Sequence, residues 1–227
     1  MKAFVAGATG ETGRRIVKEL VRRNIPVRAL VRDLDQGRAS LADSLNNASE
    51  GATVELVTGD VLKIDSLRDA IADCTVLLCA TGARPSFNPT GPYGVDYEGT
   101  KNLVTVAKEK GIEQFVLVSS LCVSKFFHPL NLFWLVLYWK AQAESYIQSS
   151  GLTYTIVRPG GLKNEDNDDS IVMQKADTLF EGSIPRTKVA QVAVESLFQS
   201  SASNKIVEVV ARPDAPSQPL DALFAKV

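Results

Sequence analysis

A glycine-rich turn near the start of the chain constrains the fold more than any other feature of the sequence. The turn spans residues 7–13, follows an apolar strand at residues 2–6, and leads into a helix at residues 12–23. Glycines permit a sharp turn and a close backbone approach to a pyrophosphate, and free N–H groups at a helix start favour negative charge. This context predicts a dinucleotide site with phosphate contacts at Gly7, Thr9, Gly10, Glu11, Thr12 and Gly13.

Short aliphatic runs alternate with helical patterns along the rest of the chain. Further strands are predicted at residues 27–31, 54–57, 76–79, 115–118, 154–157 and 206–210. Helices are predicted at residues 66–72, 93–110, 130–149 and 188–199, with Ser66 as an N-cap and with Gly111 and Gly151 ending the second and third. Repeated βα units imply a doubly wound, Rossmann-type parallel sheet with helices on both faces, in a single α/β domain over residues 1–227.

Two stretches interrupt this alternation. Residues 33–51 are polar and show no clear period. Residues 159–204 begin with a run rich in Gly, Asn, Asp and Ser that extends to Arg186. We expect this second stretch to form a surface excursion on the substrate side, a small C-terminal capping region.

The charge balance and the cysteine pattern argue against several classes of function. The chain has 25 basic and 26 acidic residues, so its net charge of -1 offers no field to hold a polyanion, and nucleic-acid binding is not expected. Cys74, Cys79 and Cys122 lack CxxC spacing and His128 is the only histidine, so neither a disulfide framework nor a metal site is expected. We expect a reducing compartment, either the cytoplasm or one that resembles the chloroplast stroma.

Membrane insertion and secretion are not expected either. The start of the chain lacks the basic and apolar regions of a secretory signal, so we expect the mature protein to begin there. The most apolar stretch, residues 126–139, contains His128 and Pro129 and is shorter than the roughly 20 residues that span a bilayer. No transmembrane segment is therefore predicted.

The residue that closes the second strand distinguishes the two nicotinamide dinucleotides. A carboxylate there holds a ribose 2′-OH, whereas an arginine accommodates a 2′-phosphate. Arg32 occupies the position and Arg38 follows a few residues later, with Asp33 beside them. We predict NADP(H), and the neighbouring Asp33 keeps NAD as the alternative.

The turns after the third and fourth strands lie at the same edge of the predicted sheet. Ligands bind at the carboxyl ends of strands in open α/β sheets, so these turns are expected to line the adenine and ribose. Ordinary turn chemistry explains any one of their residues equally well. The residues concerned are Asp60, Val61, Ala80, Thr81 and Gly82.

Four motifs together resemble the atypical short-chain dehydrogenase/reductase family over essentially the whole chain. They are the turn at residues 7–13, residues 59–61, the Ser119-Ser120 strand end and residues 158–161. Residues 90–93, 96–97, 99–104, 130–134 and 154–161 are similar to the NADP-binding part of a chloroplast translocon component that tethers ferredoxin-NADP reductase. The first half also resembles biliverdin-IX-beta reductases, which reduce flavins and biliverdin with NADPH.

The resemblance implies roles for four further residues. Ser119 and Pro159 belong to the cofactor site, Ser120 corresponds to the active-site serine of biliverdin-IX-beta reductases, and Lys140 corresponds to the lysine that holds the nicotinamide ribose. The family's usual Tyr-x-x-x-Lys pair is incomplete, because Val136 stands four residues before Lys140. Tyrosine-driven alcohol oxidation is therefore not favoured.

Two functions fit these residues. The first is an NADPH-dependent reductase that transfers hydride to a planar small molecule such as a flavin or a biliverdin-type tetrapyrrole. The second is a non-catalytic, NADP(H)-sensing scaffold that docks a redox protein partner such as ferredoxin-NADP reductase. Six aromatic residues between positions 126 and 139 fit either stacking or docking, although core packing is the commoner explanation for such a cluster.

Overall fold

The structure, a computed structural model, describes residues 1–83 and 89–227. Its strands are β1 (Ala3–Ala6), β2 (Val27–Val31), β3 (Val54–Thr58), β4 (Val76–Cys79), β5 (Gln114–Val118), β6 (Tyr154–Pro159), β7 (Gly161–Lys163), β8 (Ser170–Lys175), β9 (Ser183–Pro185) and β10 (Lys205–Arg212). Its α-helices are α1 (Glu11–Arg22), α2 (Leu34–Ser40), α3 (Ala42–Asn46), α4 (Ile64–Ile71), α5 (Gly99–Lys110), α6 (Val136–Gln148), α7 (Arg186–Glu195) and α8 (Leu220–Ala225).

The strand order confirms the doubly wound parallel sheet. Seven strands lie in the order β3-β2-β1-β4-β5-β6-β10 and all pair in parallel, while β8 and β9 pair with β10 in the antiparallel direction and β7 pairs with β9. Chain order reverses at β1, which has β2 on one side and β4 on the other. The crevice above the carboxyl ends of β1 and β4 is where such sheets bind ligands.

Alternation along the strands divides the core between two faces of the sheet. In β1, Ala3 and Val5 point to the cluster that includes Ile16 and Leu20 of α1. Phe4 and Ala6 point to the opposite cluster with α4 and α5. Successive residues of a strand face opposite sides of the sheet. A strand that is covered on both sides, such as β1, is therefore apolar at every position, and all four of its residues are buried.

The predicted helix at residues 130–149 is wrong in its first turns. A 3-10 helix occupies Pro129–Leu132, and the backbone of Trp134 and Leu135 is left-handed before α6 begins at Val136. Asn131 explains the break, because its side-chain oxygen accepts hydrogen bonds from the backbone N–H groups of Leu137 and Tyr138. The asparagine thereby satisfies donors that a continuous helix would have paired internally.

The stretch at residues 159–204, predicted as a substrate-side excursion, holds strands of the main sheet, and its place on the substrate side stays a prediction. β8 pairs with β10 over six residues, and β7 and β9 extend the same sheet beyond it. α7 packs on the core through Val189 and Val192. The strand pairing between β8 and β10, which are distant in sequence, outweighs the polar composition of this stretch.

Three smaller differences from the predictions concern the first half of the chain. The polar stretch 33–51 contains α2 and α3, and Asp33 caps α2 by accepting a hydrogen bond from the Gln36 backbone. Ser66 is not an N-cap, because α4 already begins at Ile64; its hydroxyl instead contacts the Asp60 and Lys63 backbone. The predicted helix at 93–110 starts as a π-helix, Tyr93–Glu98, before α5.

Candidate functional site

A cleft of about 350 Å³ lies at the carboxyl edge of the sheet, above β1 and β4. The turns that follow β1 to β4 form most of its walls, and the π-helix start closes one side. Its lining residues are Gly7, Thr9, Gly10, Leu30, Arg32, Gly59, Asp60, Val61, Leu62, Ala80, Thr81, Gly82, Ala83, Gly91 and Val95. Most of the predicted cofactor residues therefore share one cavity, and sequence reasoning missed Leu30, Leu62, Ala83, Gly91 and Val95 among them.

The glycine turn has the geometry that a bound pyrophosphate needs. The Gly10 N–H donates to the Gly7 carbonyl at 3.0 Å, and Gly7 has a left-handed φ of +78°. A Cβ on Gly13 would lie 2.0 Å from the Gly7 carbonyl oxygen, so the backbone is packed too closely for any side chain there. No side-chain cap is bonded to the α1 N-terminus at Gly10. The start of α1 thus presents backbone N–H donors beside the cleft.

Four other predicted contacts near this turn have different placements. Glu11 begins α1 and its carboxylate pairs with Arg14 and Arg15. Thr12 is buried behind the turn. Pro159 ends β6, and its carbonyl accepts the Leu121 N–H. None of these three, nor Gly13, lines the cleft, so their predicted roles as cofactor contacts stay predictions.

Arg32 borders the cleft, and its predicted contact with a 2′-phosphate stays a prediction. Within residues 1–83 and 89–227 no carboxylate pairs with its guanidinium, which is exposed. The neighbouring Asp33 is occupied as the cap of α2, because its Oδ1 accepts the Gln36 N–H at 2.7 Å. Arg38 lies exposed on α2 and does not line the cleft. The local geometry favours Arg32 over Asp33 as the group that meets the ribose.

We expect Arg32→Asp to reverse cofactor preference. The Kd for NADPH should rise about tenfold or more relative to the Kd for NADH, because a charge-assisted hydrogen bond to phosphate is lost and a carboxylate faces it. Isothermal titration with both dinucleotides measures this ratio. Arg38→Ala serves as the matched control and should change the ratio much less; an unchanged ratio in Arg32→Asp would show that the 2′-phosphate lies elsewhere.

Two hydrogen bonds hold the turn after β3 in place. The Asp60 carboxylate accepts the Leu62 N–H at 3.0 Å, and the Val61 carbonyl accepts a hydrogen bond from the Asn102 side chain of α5 at 2.8 Å. Both contacts fix the backbone where an adenine would rest. Asn102 was not predicted as a site residue, and only its place in the resemblance pointed to it.

An ion pair between Lys140 and the buried Asp96 lies beside the cleft, next to Gly82. Lys140 Nζ lies 2.6 Å from Asp96 Oδ1, and the other Asp96 oxygen accepts the Ala83 N–H. A Cβ on Gly82, which lines the cleft, would lie within 4.0 Å of Lys140 Nζ and of Asp96 Oδ1. Burial alone would lower the pKa of Lys140, but the Asp96 charge outweighs it and holds that pKa above its ordinary value. Lys140 is therefore a fixed cation at the cleft.

The two serines after β5 differ in their surroundings. The Ser119 hydroxyl is buried and donates to Glu144 Oε1 at 2.5 Å. Ser119 does not line the cleft, and its predicted role as a cofactor contact stays a prediction. Ser120 is partly exposed, and no hydrogen bond to its hydroxyl occurs in the part of the chain that the structure describes. The Ser120 hydroxyl is thus the free group of the pair.

The aromatic residues between positions 126 and 139 do not form a core. Phe127 is 97% exposed and Leu132 is 85% exposed. Ring contacts run from Phe126 through Tyr138 to Trp139, which packs edge-on against Tyr93. The core-packing explanation therefore fails for much of this segment, and an exposed apolar surface remains.

A second depression, of about 490 Å³, lies on the outer face of α1. Its charged residues neutralise one another, as in the pairs Lys18–Asp43 and Arg22–Glu19. The first pair is exposed on both sides and contributes little stability, whereas Glu19 of the second pair is buried. We assign the candidate site to the cleft at the sheet edge, where the predicted residues converge.

Fold and site together define a Rossmann-type dinucleotide-binding protein of the atypical short-chain dehydrogenase/reductase type. The chain belongs to the NAD(P)H-binding family, whose pattern it matches over residues 7–200. The predicted nicotinamide dinucleotide is confirmed at this level. No helix among the described residues has the length and apolarity required to cross a membrane.

Similar proteins span plants and bacteria. An uncharacterised chloroplastic protein of Arabidopsis thaliana is 46% identical over 237 residues, which cover 100% of this chain and 82% of that protein. The chloroplastic protein TIC 62 of the same plant is 40% identical over 99% of this chain, which spans only 38% of the length of TIC 62. Sanguinarine reductase of Eschscholzia californica is 27% identical over 100% of this chain and 96% of the enzyme.

Solved structures confirm the fold. A putative NAD-dependent epimerase/dehydratase from Bacillus halodurans superposes with a TM-score of 0.86, at 25% identity and full coverage of both chains. A short-chain dehydrogenase/reductase from Veillonella parvula, solved in complex with NADP, superposes with a TM-score of 0.73 over 96% of this chain and 98% of the other, at 16% identity.

Proposed function

We propose that this protein is an NADPH-dependent reductase that transfers hydride to a planar acceptor, such as a flavin or a biliverdin-type tetrapyrrole. The observation that carries the proposal is the Lys140–Asp96 pair beside Gly82, a residue of the dinucleotide cleft that Arg32 also borders. A relative over the whole chain that is named a reductase supports the same class of activity. NADPH, when bound, supplies the hydride.

Lys140 orients the reaction without exchanging a proton. Its ammonium is held by Asp96, and the raised pKa keeps it charged at neutral pH. Such a fixed cation is suited to donate hydrogen bonds to ribose hydroxyls. The Asp96 backbone carbonyl accepts the Thr100 hydroxyl at 2.7 Å, which ties the pair to α5 and limits its movement.

Ser120 orients the acceptor in this proposal. Its hydroxyl is free to donate to a carbonyl or ring nitrogen of the acceptor, and the same hydroxyl or water supplies the proton that completes reduction. No tyrosine stands one helical turn before Lys140, where Val136 begins α6. Tyr138 packs its ring against Phe126 and Trp139 instead. An acceptor that needs no strong protein acid fits this arrangement.

Steady-state NADPH oxidation with free FMN, FAD and biliverdin tests the proposal. We expect turnover above background with at least one acceptor, and Ser120→Ala should lower kcat/KM for it by about tenfold while leaving the Kd for NADPH unchanged. Ser196→Ala, which removes a hydroxyl bonded to the Ala193 carbonyl away from the cleft, is a matched control. No turnover with any of the acceptors would overturn the proposal.

The exposed apolar segment favours a second candidate function. A scaffold that senses NADP(H) and docks a redox protein such as ferredoxin-NADP reductase would need an accessible surface, and Phe127 and Leu132 provide one. A pull-down with that reductase at high and low NADPH/NADP ratios tests it. Binding that depends on the ratio, without any acceptor turnover, would favour the scaffold over the enzyme.

We also propose a reducing compartment, cytoplasmic or chloroplast-stromal. All three cysteines are free and buried, and burial raises the pKa of the Cys74 thiol to about 11. Two of the relatives described above are chloroplastic, which supports the second compartment.

A further inference from the structure

A buried ion cluster centred on Arg158 lies behind the Ser119-Ser120 strand end. The Arg158 guanidinium donates to Glu144 at 2.7 Å and also pairs with Asp177 and Glu208. The Arg158, Glu144 and Glu208 side chains are 7%, 2% and 1% exposed. None of these residues lines the dinucleotide cleft, and the proposed chemistry at Lys140 and Ser120 does not use them.

The cluster is linked to the candidate site through Ser119. Its hydroxyl donates to Glu144 Oε1, and Arg158 holds the same carboxylate through three hydrogen bonds from its Nε and terminal nitrogen. Glu144 stands one helical turn after Lys140 on α6. One helix therefore carries both the cation at the cleft and the carboxylate that locates the strand end before Ser120.

The other side of the cluster holds the segment at residues 176–182. Glu208 accepts hydrogen bonds from the backbone N–H groups of Asp177, Thr178 and Leu179 at 2.9, 3.0 and 2.6 Å. The Asp177 carboxylate also accepts the Ser124 hydroxyl at 2.6 Å. The segment is thus joined both to the buried cluster and to the residues that follow Ser120.

The free energy of burying charged groups indicates that such a cluster positions neighbouring residues more than it stabilises the fold. Taking several charges out of water costs free energy that their attraction only partly offsets, and apolar replacements of buried ion pairs are often as stable. Here the buried Glu144 and Glu208 share one buried guanidinium, and the half-exposed Asp177 adds a third carboxylate, so negative charge is in excess around Arg158. The cluster instead fixes the positions of the groups that are bonded to it.

We propose that Glu144 is a positioning residue for the acceptor side of the site. Through Ser119 it holds the Ser120 hydroxyl in place, and through Arg158 and Glu208 the same cluster holds residues 177–179. The inference rests on the proposed function, which places an acceptor beside Ser120.

The test compares Ser119→Ala, Glu144→Gln and the double variant. We expect each single variant to raise the KM for the acceptor about tenfold, because the Ser120 hydroxyl is displaced, and to leave the Kd for NADPH within about twofold. The double variant should raise the KM no further than Glu144→Gln alone, since that variant already disrupts the contact to Ser119. Ser196→Ala and Glu19→Gln are matched controls that remove a buried hydroxyl and a buried, paired carboxylate elsewhere.

Amide exchange provides a readout that does not depend on turnover. The Leu121 N–H donates to the Pro159 carbonyl at 3.0 Å, and its exchange should be faster in Ser119→Ala and Glu144→Gln than in the two controls. Unchanged acceptor KM, or exchange equal to the controls, would overturn the proposal. A raised Kd for NADPH would do so too, because it would assign Ser119 to the cofactor. If the wild-type chain reduces no acceptor, the proposed function fails, and exchange alone decides whether Glu144 positions the strand end.

Discussion

Gly13→Ala is expected to weaken NADPH binding by about 100-fold or more and to destabilise the fold by about 3 kcal/mol or more. The added Cβ would lie 2.0 Å from the Gly7 carbonyl oxygen and 2.7 Å from its carbon, both backbone atoms that have no room to move. Displacing the turn withdraws the N–H donors that face the pyrophosphate. Losing two charge-assisted hydrogen bonds corresponds to an affinity loss on the order of 100-fold.

Calorimetric titration with NADPH and thermal unfolding measure the two effects. Gly111→Ala is the matched control, because Gly111 has a left-handed φ of +70° at the end of α5 with nothing within 4 Å of its would-be Cβ. It should cost about 1 kcal/mol and leave NADPH binding unchanged. Wild-type affinity in Gly13→Ala would remove the glycine turn from the cofactor site.

Lys140→Met should lower kcat/KM by about 100-fold, since the fixed cation that orients the ribose is lost. The same change leaves Asp96, only 3% exposed, without its charge partner and should destabilise the fold by about 3 kcal/mol. Asp96→Asn combined with Lys140→Met removes both charges and should restore most of the stability but none of the activity. Activity that returned with stability would show that Lys140 is only structural.

The stability contributed by Lys140 should depend on pH in a defined direction. Its folded-state pKa lies above the unfolded value of about 10.4, so the contribution is fully present below that pH and is lost as pH rises through the folded pKa. The difference in unfolding free energy between wild type and Lys140→Met should therefore be constant between about pH 6 and pH 9. Chemical denaturation over this range and above it measures the difference, and a decline already below pH 9 would contradict the raised pKa.

Much of the fold could be predicted from sequence because its strands are short apolar runs between strong turn signals. The structure places β2 and β4 at the predicted residues, and the glycine turn stands where its context required. One failed prediction has a local cause and the other a long-range cause. The left-handed residues at Trp134 and Leu135 depend on how Asn131 caps α6, and β8 depends on a pairing with β10 more than thirty residues away.

Part of the candidate site could also be predicted from the sequence. Residues that follow the first four strands converge because parallel strands end at one edge, and this rule requires no knowledge of side-chain contacts. Asp96 is 44 residues from Lys140, and Glu144 contacts Ser119 across 25 residues. A sequence motif cannot indicate pairs so far apart in the chain. The polar groups that hold Lys140 and Ser119 are therefore identified only in the folded structure.

Single-turnover stopped-flow absorbance of bound NADPH, mixed with excess FMN or biliverdin, tests hydride transfer to a planar acceptor most directly. We expect NADPH to be consumed in an exponential phase with the wild-type chain, at least about 100-fold more slowly with Lys140→Met, and not at all above background with Gly13→Ala. A wild-type chain that binds NADPH but consumes it no faster than buffer with either acceptor would contradict the proposed reductase.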